Sequence, residues 1–403
     1  MISSLQLPTY PQELEAWWWQ KALTKWSDHG EEKILNLLRR EIVEQSDRFN
    51  KKRIFDSGAY GSRDLSILAY GNFFFPRTWY AMSLCLAEAH FFRSWKKSQK
   101  GPIRILDLGS GSGASSFAVL QFLNNLDLDN PIFLNAYDYS GKSLGFLEQI
   151  HGALKRLWAK SKIQTKRLDL TTNLTREKSQ KYDLILMGYS FNEIFEGMEM
   201  EKKEKWMEDL TRLLSPNGIL IIVEPANKKS CQELHSLSSR LISSQKELFL
   251  HAPYFNNHSC PLISSSSKYY SHEVRKIPIT NRVQKINAPL NLEMNQVKFG
   301  FCVLGKQKPQ SYPFDSTICR VVSPINKKKG TLSFIGIGGN GMEYRYEIQR
   351  RDLKNDETKI LTRLERGDIL KIKNGRVGKD LSLIRVPNFE SLNWPFAPRW
   401  EKA

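Results

Sequence analysis

Between Ile103 and Pro225, five short apolar runs alternate with stretches of helical character: "IRILDL", "PIFLNAYDY", "KIQTKRLDL", "YDLILMGY" and "GILIIVEP". Runs this short and this apolar read as strands buried on both faces. Strands that alternate with helices imply a parallel sheet covered on each side, an α/β architecture. "SCQELHSLSSRLISSQKELF" predicts the helix after the fifth strand, and "VKFGFCVLGK" predicts a further strand that completes the sheet.

The flanks follow other periods. In "EEKILNLLRREIVEQSDRF", Ile34, Leu35, Leu38 and Ile42 fall on one helical stripe, and the first hundred residues read mainly as helix. Trp17, Trp18, Trp19 and Trp26 are expected to pack that region onto a larger body rather than to stack bases. A second helical stretch, "RTWYAMSLCLAEAHFFRSW", runs into the basic "RSWKKSQK" and the boundary Gly101-Pro102. Past Tyr312, "TICRVVSP", "GTLSFIGIGG", "MEYRYEIQR" and "DILKIKNG" are short strands punctuated by Gly and Pro, the pattern of a small OB-like β-domain. The expected organisation is an N-terminal helical region (1–100), a Rossmann-like α/β domain (101–310) with 251–296 as an inserted loop region, and a small β-domain (311–403).

Lys and Arg number 60 against 42 Asp and Glu, a net charge of +18 over 403 residues, and the excess comes in local runs. Such a field attracts polyanions, with nucleic acid first among them. No apolar run approaches the length of a bilayer span, so no membrane partner is expected. Five scattered cysteines exclude a CxxC ribbon and a disulfide framework. The N-terminal stretch lacks both an apolar signal core and early arginines, so a reducing cytoplasm is the expected location.

The strongest chemical signal is "ILDLGSGSGASS". A strand ends at Asp107, and Gly109, Gly111 and Gly113 follow at alternate positions, with Ser110 between the first two. Glycines suit a sharp turn whose bare backbone lies against a ligand; a plain tight strand–helix turn is the simpler alternative. A GxGxxG spacing would indicate a dinucleotide. GxGxG after an acid is the form used for S-adenosylmethionine. Asp138 ends the next strand, 25 residues beyond Gly113, near the roughly 20 expected for an acid that accepts ribose hydroxyls. Asp169 follows the third strand, where a side chain meets an adenine amino group, and Gly188 ends the fourth at the lip "GYSFNEI". All are predicted at the carboxyl ends of parallel strands, where open α/β sheets bind ligands.

Beyond the lip the chemistry thins. Asn192 and Glu193 are placed to touch a substrate, and helix capping accounts for them equally well. Glu224 lines the same cleft or bonds a neighbouring turn. The lip lacks the Asn/Asp-Pro-Pro-aromatic motif of base-amine methylation, and no Pro-Cys or Thr-Cys pair offers a nucleophile. A sulfonium methyl is already activated, so placement in line supplies much of the rate without a base.

"LDLGSGSG", "GYSFNEI", "LIIVEPAN", the preceding "AYGNFFFPRTWYAM" and the tail "CRVVSPINKKKGTLSF…RYEIQRRD…RGDIL" together resemble the methyltransferase-like proteins of the mitochondrial small ribosomal subunit and their bacterial relatives. The resemblance runs from about Tyr60 to Val386. It implies an S-adenosylmethionine-binding methyltransferase sheet, association with small-subunit rRNA, and a role in rRNA methylation or in assembly of the small ribosomal subunit. A non-catalytic assembly factor using the fold as an rRNA-binding platform is the alternative. The family's iron–sulfur cysteines are largely missing here: Tyr254 stands at the first position, Cys260-Pro261-Leu262 matches the second, Tyr270-Ser271-His272 replaces Trp-Cys-His, and "LSFIGIGG" offers no fourth. No iron–sulfur cluster is therefore expected, since one thiolate cannot serve for four. His251, His258, Cys260 and His272 suit zinc in type but not in spacing, and no metal site is expected. "RSWKKSQK", "NKKKG" and "QRRDLK" are candidate phosphate contacts on this β-domain. Tyr344 and Tyr346 alternate on one strand, either to stack bases or to fill one barrel face.

Overall fold

The computed structural model describes residues 5–47, 61, 63–96, 101–171, 180–255, 260–263, 269–309 and 316–400. Its central sheet contains β1 (Ile103–Leu108), β2 (Ile132–Asp138), β3 (Ser161–Arg167), β4 (Tyr182–Gly188), β5 (Leu214–Pro225), β6 (Phe249–Ala252), β7 (Glu273–Lys276) and β8 (Gln296–Gly305). Their order is β3-β2-β1-β4-β5-β8-β6, with β7 also on β8. β1 to β5 are parallel and β8 runs antiparallel beside β5. The order reverses between β1 and β4, so the chain leaves these two strands in opposite directions and opens a crevice above their ends. This is a Rossmann-like α/β sheet, with a β region after it.

Alternation along the strands divides the core cleanly. Ile103, Ile105, Leu184, Leu186, Ile221 and Phe301 face one side. Leu106, Leu108, Ile185, Met187, Ile222 and Cys302 face the other. Helices Met200–Thr211 and Lys228–Ser244 cover the second face. The first is covered by Ala114–Asn125 and Gly141–Ala153 and also by the N-terminal helices Gln12–Lys25, Glu31–Asp47, Asp64–Phe73 and Phe75–Ala87. The helices before Gly101 thus share one core with the sheet. Trp18 is fully buried and stacks on Phe146 at 5.7 Å, the packing role expected of the tryptophans.

The 251–296 stretch expected as a loop holds β7, the end of β6 and a helix, Asn281–Asn287. Their apolar patterns span only four to seven residues, too few to reveal a period in the sequence. β6 and β7 both pair with the outer edge of β8.

The β region opens with an antiparallel meander, Ile318–Val321, Thr331–Gly338 and Glu343–Gln349. Helix Asn355–Leu361 follows; then Ile369–Ile372 returns beside the first strand and Leu383–Val386 lies parallel to the third. With the short strands Asn326–Lys328, Arg376–Val377 and Leu392–Phe396 these make an eight-stranded sheet, in which the five named strands follow an OB-like connectivity. Tyr346 is fully buried against Phe334 at 5.1 Å and Tyr344 is nearly so, which makes both barrel core and removes them as base platforms.

Buried charge joins the parts. Arg320, on the first strand of the β region, donates to Glu88 Oε1 and Oε2 at 2.9 Å each and to Glu273 Oε1 at 2.8 and 3.0 Å. Although burial opposes its charge, Glu273 and Glu88 hold the guanidinium above its usual pKa. Arg275 on β7 meets Asp368 at 2.5 Å, and Arg399 meets the same carboxylate at 2.7 Å. Residues distant in sequence therefore lock the N-terminal helices, the sheet edge and the β region into one body.

Candidate functional site

The turn after β1 is built by three glycines at positive φ: +70° at Gly109, +52° at Gly111 and +95° at Gly113. They serve different ends. A Cβ on Gly109 would lie 2.8 Å from Ser190 Oγ and closer still to its Cβ, so Gly109 is needed for the lip to seat. One on Gly113 would strike Phe117 and Leu147, a helix-packing contact. One on Gly111 would meet nothing within 4 Å. Only there does bare backbone face open space. Gly188, at the end of β4, makes room for Ser115 rather than for a ligand.

The cleft beside this turn measures about 590 Å³ and is bordered by Gly109, Asp138, Arg167, Asp169, Ser190 and Glu193, among others. Drug- and cofactor-sized ligands occupy sites of roughly 300–1,000 Å³. Asp138 is 5 % exposed; Oδ2 accepts from Gly111 N and Oδ1 from Ser140 N, both at 2.8 Å. Burial raises its pKa to about 6 against the pull of those two amides. Each carboxylate oxygen keeps acceptor capacity for a further donor. Asp169 is exposed at the cleft edge and accepts from Thr171 N and Oγ1 at 2.9 and 2.7 Å. Arg167 ties the ends of β3 and β2 by donating to Tyr139 O at 3.0 Å, and nothing in the sequence marked it.

Two expected residues act elsewhere. Asp107 is fully buried and accepts from Ser116 Oγ at 2.6 Å, which fastens the strand end to the following helix. Burial, reinforced by Asp138, raises its pKa to about 7. It does not border the cleft, and neither do Ser110, Gly111, Gly113 and Gly188. Glu224 is also fully buried. It accepts from Phe191 N at 3.0 Å and from Asn192 Nδ2, and thereby caps the lip helix Phe191–Ile194. Asn192 is thus held by Glu224, which favours the capping account. Glu193 does border the cleft; burial, Asp138 and Glu196 raise its pKa to about 8. Ser190 Oγ donates to Leu108 O at 2.7 Å, so the lip is tied back to the end of β1.

The described residues between β6 and β7 test the cluster that the sequence resemblance associates with this stretch. Tyr254 is fully buried and shares hydrogen bonds with Cys260 and Ser271, so the three residues at ligand positions pack as a neutral hydrogen-bonded group. Burial pushes the Cys260 thiol up to about 11, and Cys231 and Cys302 nearby to about 12. A cluster needs four thiolates, and a tyrosine ring and a serine at two of the ligand positions do not supply them. Of the zinc candidates, His251 Nε2 lies 2.8 Å from Gln307 O and His272 Nδ1 lies 3.0 Å from Tyr270 O; His258 falls outside the described residues. Among the described residues no three His, Cys, Asp or Glu gather as a metal site. No helix among them is long and apolar enough to cross a membrane.

The family model of the mitochondrial small ribosomal subunit protein Rsm22 matches residues 65–340, over half of the chain. Protein-lysine N-methyltransferase efm4 of Schizosaccharomyces pombe is 30% identical over 142 residues, 34% of this chain and 57% of that protein. The probable polyketide synthase 41 of Dictyostelium discoideum is 30% identical over 138 residues, 32% of this chain and 5% of its own length. This chain therefore spans little more than half of one of these relatives and a small part of the other. Among solved structures, the CurJ carbon methyltransferase aligns with a TM-score of 0.36 at 12% identity, covering 72% of this chain and 71% of that one.

Proposed function

The chain belongs to the mitochondrial small ribosomal subunit Rsm22 family, and from there we propose that it is an S-adenosylmethionine-dependent methyltransferase acting on small-subunit rRNA in the assembling particle. The observation that carries this is the cleft itself. A carboxylate, Asp138, is held in place by Gly111 N at the one point where the glycine turn faces open space. A diol bound there would be accepted by both oxygens with no rearrangement of the turn. Asp169 supplies a second acceptor at the far edge, suited to an amino group on a purine. When bound, the cofactor supplies an activated methyl group. The protein then orients the acceptor and excludes water, with the lip pinned by Ser190 and Glu224.

The charge distribution supports an RNA partner. Lys327, Lys328 and Lys329 lie exposed on the short strand Asn326–Lys328 and its turn into the second strand of the meander, and Lys373, Arg376 and Lys379 lie exposed around the short strand Arg376–Val377. OB-folds hold oligonucleotides with the connections in these two places. A reducing cytoplasm or an equivalent compartment containing ribosomes suits five free, buried cysteines.

The test is methyl transfer from labelled cofactor to small-subunit particles taken from a strain lacking the protein. Label in small-subunit rRNA supports an enzyme. Binding of particle and cofactor with no label in any component would leave the fold as an assembly platform.

A further inference from the structure

The second face of the central sheet is covered unevenly. Its helices, Met200–Thr211 and Lys228–Ser244, pack on β5, β6 and β8, at one end of the strand order. At the other end, strand register sets Arg104, Phe133 and Lys162 in one row across β1, β2 and β3. Asn135 and Gln164 stand in the next row, and Tyr137 and Lys166 in the third. Residues paired in this way point to the same side, and Tyr137 belongs to the core of the second face, so all three rows face that way. Parallel strands are ordinarily covered on both faces. Here Phe133 is 36 % exposed, Arg104, Lys162, Gln164 and Lys166 are exposed with it, and Asn135 is half-buried.

The charge on this face is of one sign. Neither the Arg104 guanidinium nor the Lys162 ammonium meets a carboxylate among the described residues. Asp183, near the start of β4, instead accepts from Arg104 N at 2.9 Å and from Ser215 Oγ at 3.0 Å. Lys166 Nζ lies 5.2 Å from the centre of the Tyr137 ring. A ring flanked by cations on a flat sheet fits unpaired nucleic acid, with a base on the ring and phosphates on the cations. An acidic peptide would answer the cations and leave the ring without a planar partner. The same strands lead to the cofactor cleft, which Asp138 and Arg167 border from the ends of β2 and β3. Five strand residues separate Lys162 from Arg167, about 17 Å.

We propose that this open sheet face is an RNA platform of its own: single-stranded RNA lies along β3, with one base on Phe133 and its phosphates on Arg104, Lys162 and Lys166. This rests on the rRNA reading and deepens it. The RNA beside the cleft is unpaired, and it is held by the methyltransferase sheet itself in addition to the β region. Phe133 and the three cations are binding residues; no part in methyl transfer is assigned to them.

The experiment uses the full chain and a fluorescein-labelled single-stranded RNA 12-mer, read by anisotropy, with melting temperature and S-adenosylmethionine binding followed in parallel. Phe133→Ala is expected to weaken RNA binding about 5- to 150-fold, the loss of one stacked base, with cofactor affinity and melting temperature kept. Phe133→Trp should retain the affinity. Arg104→Gln/Lys162→Gln should lower the slope of log affinity against log salt by about 1.4, at roughly 0.7 for each phosphate. A blunt-ended duplex of the same sequence should be insensitive to Phe133→Ala. Equal affinity of wild type and Phe133→Ala for the single strand would overturn the inference. So would a melting temperature several degrees lower with RNA affinity unchanged, since Phe133 would then be covered by protein. Polyglutamate that displaces the labelled RNA from wild type as well as unlabelled RNA does would overturn it in favour of an acidic protein partner. A wild-type protein that binds cofactor and no RNA would sink the underlying rRNA reading instead.

Discussion

Gly109 and Gly111 sit two residues apart at similar positive φ, and the structure assigns them opposite sensitivities. Alanine at either position incurs the left-handed penalty, about 1–2 kcal/mol. At Gly111 that is the whole cost, because no atom lies within 4 Å of the added methyl. At Gly109 the methyl overlaps Ser190, and overpacking of this kind adds about 1–3 kcal/mol. Urea denaturation followed by tryptophan fluorescence should therefore show Gly109→Ala less stable than Gly111→Ala by that added amount. Ser190→Gly alone loses the 2.7 Å bond to Leu108 O, about 1 kcal/mol. In the double variant Gly109→Ala/Ser190→Gly the overlap vanishes, so the two losses should fall short of their sum by about 1 kcal/mol or more. Ligand binding should invert the ranking relative to stability: Gly111→Ala, the more stable protein, should lose the cofactor-induced rise in melting temperature, because Gly111 N holds Asp138 Oδ2 and strain in the turn displaces that carboxylate. Equal stability of the two alanine variants, or additivity in the cycle, would refute this division of roles.

Other consequences can be measured independently. Asp138 holds its proton more tightly folded (pKa about 6) than unfolded, near 3.9, so its contribution to stability is complete below about 4 and is lost as pH rises to about 6. The ionised form is the one that accepts two hydroxyls, so cofactor affinity should rise over that same window, and Asp138→Asn should both weaken binding and flatten its pH profile. Arg320→Ala strands Glu88 and Glu273 in the interior and should cost about 3–5 kcal/mol by urea denaturation. Replacing Lys327, Lys328 and Lys329 together by Gln should reduce the slope of log affinity for single-stranded RNA against log salt by about 2, at roughly 0.7 for each phosphate no longer neutralised. Protein purified without an affinity tag should contain no stoichiometric iron or zinc by elemental analysis; a full equivalent of either would contradict the neutral Tyr254–Cys260–Ser271 packing.

The sheet was readable because its central strands are buried on both faces and so carry continuous apolar runs, unlike the largely exposed edge strand β3, and because glycine spacing reports backbone shape directly. Which acid faces the ligand was not readable, since Asp107 and Asp138 both end strands and only the fold reveals that one bonds Ser116 inside the core. Asn192 resembled a substrate contact because its partner, Glu224, lies 32 residues away on another strand. Arg320 and Glu88 are separated by 232 residues, and no local pattern links them. Tyr344 and Tyr346 suited a binding face as well as a core face, because alternation fixes only that they share a side.

The ionic weld at Arg320 also bears on how a target would be chosen. A β region hinged to its neighbour could swing, and a strand gripped by it would present many positions to the cleft. Here the β region and the cleft are held at a fixed spacing by buried guanidinium–carboxylate bonds. On the proposed function, such a tool would select by distance along the RNA and by the shape of its surroundings, with little need to read the base sequence itself.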